Sequence, residues 1–76
     1  MKRGDFVRVE HLGEHRRALV LLASPNGRSL ALAIGAVLDE AAGTASYEGS
    51  LAVLLDDDGV YRELFSGEPV TIEVEQ

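Results

Sequence analysis

The sequence predicts an all-β domain, five or six short antiparallel strands closed into a small barrel. Three observations carry that expectation. Turn chemistry separates the apolar runs, as at "HLGE", "SPNGRS" and "DDDG". No stretch keeps apolar residues three and four apart over the eleven or so positions that a helix needs. The runs themselves sort residues to two faces with the period of two that a strand imposes.

The first strand, "GDFVRVEH", sets Val7 and Val9 on one face and Phe6, Arg8 and Glu10 on the other. With Leu12-Gly13 as a two-residue loop, His11 faces Glu14, Glu10 faces His15, Val9 faces Arg16 and Val7 faces Ala18. The second strand, "RRALVLLAS", alternates Ala18, Val20 and Leu22 against Leu19, Leu21 and Ala23, so both faces are apolar. In "SPNGRS", Pro25 presets the first turn position, Asn26 suits the second and Gly27 accepts a left-handed backbone, which favours a three-residue loop with a glycine bulge. That loop pairs Ser24 with Arg28, Leu22 with Leu30, Val20 with Leu32 and Ala18 with Ile34, and gathers the large residues on one face.

"LAVLLDDDGVYRELF" reads as two strands, Leu51 to Leu55 and Val60 to Phe65, joined through Asp58-Gly59. After the turn "SGEP" comes "VTIEVEQ", where Val70, Ile72 and Val74 alternate with Thr71, Glu73 and Glu75. The connection from Gly35 to Ser50 holds either one helical turn near Leu38 to Ala42 or a strand followed by a loop, and it is long enough to be functional. Short strands joined by tight turns after the opening "RGDFVRVE" resemble the small SH3-like β-barrels of translation and chromatin modules. The resemblance implies an SH3-like barrel fold and carries over no functional residue, because the aromatic and basic loops of those modules have no counterpart here.

Seventy-six residues without cysteine make one domain, residues 1–76, stabilised by packing or association rather than by disulfides or thiolate metal sites. No apolar run approaches the roughly 20 residues of a membrane span and the start lacks a signal-like stretch, so a cytoplasmic protein with no membrane role is expected. The net charge of -6 argues against general nucleic-acid binding. Residues 1 to 28 carry a balance of +3 and residues 29 to 76 one of -9, an asymmetry that points to attraction between the halves, within the fold or across a dimer.

Several motifs invite a chemical reading. "HLGEH" matches the inverted zinc-protease pattern literally, with His11, Glu14 and His15 as candidate metal ligands, but that chemistry needs a helix to set both histidines on one face, and Gly13 interrupts the segment. "LLDDDGVYRELF" fails as a calcium loop: with its glycine aligned on Gly59, two of four ligand positions fall on Leu54 and Phe65. "RGD" at Arg3 to Asp5 reads as a lead-in to the first strand. No nucleophile elbow or phosphate-cradling glycine pattern is present, so no cofactor and no enzyme activity are expected. The alternative of a nucleic-acid module would use Arg8, Arg16, Arg17 and Arg28. The favoured expectation is a non-enzymatic module that associates with itself, most simply as a homodimer, or with another protein. Its surface would be the second apolar face, Leu19, Leu21, Ala23, Ala31 and Ala33, which a barrel of this size cannot cover from inside.

Overall fold

Leu12 and Gly13 both take positive φ, 53° and 80°, the pair of left-handed residues that a two-residue type I′ hairpin requires. They join β1 (Phe6–His11) to β2 (Glu14–Ala23) in the computed structural model, which describes residues 1–75. The register is the expected one: Val7 opposite Ala18, Val9 opposite Arg16, Glu10 opposite His15 and His11 opposite Glu14. Beyond it the chain forms β3 (Ser29–Ile34), β4 (Val37–Asp39), β5 (Thr44–Ser46), β6 (Gly49–Leu55), β7 (Tyr61–Glu63) and β8 (Pro69–Val74).

Six of these strands close an antiparallel barrel of the small SH3-like kind in the order β1-β2-β3-β6-β7-β8. Closure is made by β8 on β1, Val74 opposite Val7 and Ile72 opposite Val9. Every second residue therefore points inward, and Val7, Val9, Val20, Leu32 and Val53 lose essentially all contact with water. Each such side chain stabilises the fold by about 1.5 to 3 kcal/mol relative to an exposed position. Tyr61 packs on this cluster from β7 and donates its hydroxyl to the Gly27 carbonyl (2.8 Å), tying β7 to the β2–β3 turn.

The β2–β3 hairpin departs from expectation. Ser24 N–H donates to Ser29 O (3.0 Å) and Gly27 N–H to Ser24 O (2.9 Å), so the loop has one residue more than the three predicted. Asn26 is the cause: its Oδ1 accepts from the Arg28 N–H (3.1 Å) and the Ser24 hydroxyl (2.7 Å), holding Arg28 inside the turn. A bulge at Leu21 absorbs the extra residue. Ala18–Ile34 and Val20–Leu32 keep their predicted pairing, whereas Leu22 comes opposite Ala31 and Ala23 opposite Leu30. Past the bulge the faces exchange, so Ala23 packs against the core and Leu22 turns to solvent.

The helical turn offered for Leu38 to Ala42 does not form. Asp39 Oδ1 accepts the Ala42 N–H (3.1 Å) and Gly43 N–H reaches Glu40 O (3.3 Å), and this turn folds β4 back on β5 as a separate two-stranded sheet outside the barrel. The base of the hairpin is anchored by Gly35 N–H on Arg17 O (2.8 Å) and Glu48 N–H on Ile34 O (2.9 Å). At the "DDDG" turn, Asp56 N–H bonds Val60 O (2.9 Å), so the loop spans Asp57 to Gly59 instead of Asp58-Gly59 alone, and β7 is shorter than predicted. The last residue of the predicted "VTIEVEQ" strand, Gln76, lies outside the described residues.

Candidate functional site

Outward-facing residues form rows across neighbouring strands, and one row is apolar from end to end. Leu22 on β2 stands opposite Ala31 on β3, Ala31 opposite Ala52 on β6, and the Leu64 N–H donates to Ala52 O (2.9 Å), which carries the ladder one residue past β7. Two leucines thus stand as walls over a floor of two alanines. The result is a groove of about 390 Å³, closed toward the "DDDG" turn by Leu54. Leu22, Leu54 and Leu64 keep 63%, 46% and 49% of their surface exposed.

Among the described residues no charged side chain lines the groove. Its two serines flank the β2–β3 turn, and the Ser24 hydroxyl is engaged, donating to Asn26 Oδ1 and accepting from the Ser29 N–H (3.0 Å). A small polar ligand needs convergent donors or acceptors to fix its orientation. This floor offers hydrocarbon, which suits an apolar side chain.

Two of the acids beside the groove, Asp56 and Asp57, face arginines. Arg62 Nε donates to Asp56 Oδ2 (2.8 Å), and this contact, with the Val60 and Asp58 N–H groups, holds the Asp56 carboxyl below its usual range. Arg28 donates to Leu55 O (3.0 Å) and lies 3.6 Å from Asp57. Glu63 turns its carboxylate into the loop that follows β7. Its Oε2 accepts from Ser66 N–H (2.5 Å) and Phe65 N–H (2.9 Å), and these bonds, Ser66 first, lower its pKa.

The residues of the surface predicted from the sequence are largely covered, and two of them, Ala23 and Ala31, line the groove. Leu19, Leu21 and Ala31 are half-buried, Ala33 is down to 1% exposure between Leu19 and Ser50, and Ala23 has joined the core. On this side of the barrel the exposed apolar side chains are Leu22, Leu54, Leu64 and the 89% exposed Phe65; others, Leu12, Val37, Leu38, Tyr47 and Val74, lie on the first hairpin tip, the β4–β5 arm and β8. Alternation along "LAVLLDDDGVYRELF" could have placed Ala52, Leu54 and Leu64 on one face. The outward turn of Leu22 depends on the bulge, which leaves no mark in the sequence.

The arginines of the nucleic-acid reading do not form one patch. Arg16 sits at the β3–β4 end of the barrel in an ion pair with Glu48, close over Gly35. Arg28 belongs to the β2–β3 turn at the other end. Arg17 lies over the Phe6 ring, 3.8 Å from its centroid, and bridges Glu75 (2.8 and 2.9 Å), which raises the arginine pKa and lowers that of the glutamate. Arg8 is flanked by Arg17 on β2 and Glu73 on β8.

The histidines of "HLGEH" fall on opposite faces of the β1–β2 ribbon. His11 shares the inward row of Val7 and Val9, and His15, opposite Glu10, faces out. The shared face that a zinc-protease helix would supply is absent. His11 instead lines a hollow of about 100 Å³ at the barrel's end with Val9, Glu14 and Arg16, and its Nε2 is buried without a hydrogen-bond partner among the described residues. No protein-family model, curated protein or solved structure matches this chain.

Proposed function

We propose that this protein is a non-enzymatic association module that pairs with a second copy of itself through the outer face of β2, β3, β6 and β7. The observation that carries this reading is the groove with Leu22 and Leu64 as walls and Ala31 and Ala52 as floor. Exposed leucines at this density have an unfavourable contact with water that a packed partner removes. Alanines across from leucines leave the depth that a neighbour's side chain fills, and a two-fold contact needs only one self-complementary patch. At the margin Asp56 and Asp57 lie against Arg62 and Arg28, which reduces the repulsion between two copies of a chain of net charge -6.

Sedimentation velocity of the wild type and of a Leu22→Ser, Leu54→Ser double variant tests this. The wild type is expected to be dimeric at high micromolar concentration, and the double variant a folded monomer. A wild type that is monomeric at that concentration, or a double variant that keeps the dimer, refutes the reading.

A further inference from the structure

The turn between β7 and β8 is built more rigidly than its position on the surface requires. Glu63 accepts from two consecutive N–H groups, Gly67 N–H returns to Glu63 O (2.9 Å), Arg62 Nη1 donates to Gly67 O (3.0 Å), and Glu68 N–H reaches the Ser66 hydroxyl (3.2 Å). At the centre of this network stands Phe65, 89% exposed. An aromatic ring held out into water by a fixed turn lowers no folding free energy through burial. The backbone that carries it is, however, already ordered, which reduces the entropy lost on association.

The same turn begins at Leu64, one wall of the groove, so Phe65 follows directly on a groove residue. From this juxtaposition we infer that Phe65 is the anchor of the self-association proposed above, each copy seating its ring on the Ala31–Ala52 floor of the other; the inference rests on that reading. A two-fold axis between ring and groove satisfies both contacts at once and closes the assembly at two copies, with no unfilled groove to extend it. Size supports a second copy as the occupant. A buried aromatic ring contributes about 150 to 250 Å², and with three leucines beside it two copies bury about 1,000 Å², the scale at which a specific interface begins.

Two variants test the anchor separately from the groove. Phe65→Ala, whose folding is checked by far-ultraviolet circular dichroism, is expected to raise the dimer Kd by about 100- to 1,000-fold, because each dimer contains two rings of hot-spot weight. Phe65→Trp gives the protein its only tryptophan, whose emission is expected to shift to the red as the dimer is diluted into monomers. If the wild type is dimeric and Leu22→Ser with Leu54→Ser abolishes the dimer while Phe65→Ala leaves Kd unchanged, the groove reading stands and the anchor is overturned. Tryptophan emission that stays constant through dissociation overturns it equally. A wild type that is monomeric at high micromolar concentration removes both inferences. If in that case a leucine-rich peptide shifts the Phe65→Trp emission, the groove takes a foreign partner instead of a second copy.

Discussion

Replacing Leu22 and Leu30 by alanine, one at a time, measures the bulge on which the site depends. In a regular hairpin with the three-residue loop the two leucines face each other in the core, and either change removes a buried side chain at about 2 to 5 kcal/mol. In the bulged hairpin Leu30 is 3% exposed and Leu22 63%. Leu30→Ala retains that large cost. Leu22→Ala forfeits only the covered third of its side chain, about 0.5 to 1 kcal/mol when scaled from full burial. Against a total stability of roughly 4 to 11 kcal/mol for a domain this size, the two variants separate clearly in urea, with similar slopes and well-spaced midpoints. Titrations at two protein concentrations tenfold apart isolate any contribution of association, which makes the midpoint concentration-dependent. A loss above about 2 kcal/mol for Leu22→Ala at the lower concentration would refute the bulged register. The outer wall of the groove would then vanish with it.

Three further expectations come from the same geometry. Leu12 holds a left-handed backbone at the tip of the first hairpin with its side chain largely in water, so Leu12→Asn is expected to stabilise the protein by about 0.5 to 1 kcal/mol, read as a rise in Tm; a fall in Tm refutes the turn assignment. Glu63 and Glu75 both have pKa values below the ordinary glutamate value of 4.5, so the stability they contribute is present above that pH and is lost as pH falls through their folded values. Wild type should therefore lose more stability between neutral pH and about pH 3 than a Glu63→Gln, Glu75→Gln variant, and equal acid profiles would contradict these contacts. In hydrogen exchange, amides of Val37 to Ser46 should exchange far faster than those of Val20 and Leu32, because an isolated two-stranded hairpin is at best marginally stable in water. Comparable protection in the two regions would show that the β4–β5 arm is covered in solution.

How much of this was legible in the sequence varied with the residues concerned. The first hairpin could be read to the single residue because Leu12-Gly13 admits one register that keeps Val7 and Val9 on the face of Ala18 and Val20. The second could not. "VLLA" sets two leucines in succession, so hydrophobic sorting accepts either one facing inward, and the choice fell to the bond from the Arg28 N–H to Asn26 Oδ1, an Asx turn that competes with the three-residue glycine-bulge loop in the same sequence. The alanine-rich connection after Gly35 was ambiguous between helix and strand because past the buried Ala36 its residues stay exposed, which left Asp39 and Gly43 to decide its shape locally. The groove joins side chains from β2, β3, β6 and β7. Such a row exists only once the order of non-consecutive strands is known, which is why the face predicted from the sequence shares only Ala23 and Ala31 with the groove.

The Glu75 N–H donates to Phe6 O (3.0 Å), so the places where the chain enters and leaves the barrel are neighbours. The ring of six strands consequently has no physical first member. A short flexible link from residue 75 to residue 6 and a new opening at Glu40–Gly43 would produce a circular permutant that keeps the barrel's six strands, loses the Gly4 and Asp5 backbone bonds to Val20 and severs the outlying two-stranded sheet. The same tip tolerates insertion of a guest sequence for the same reason. What distinguishes this architecture from an open sheet is that its order is cyclic: the genetic start of the chain is a convention that the folded molecule does not need.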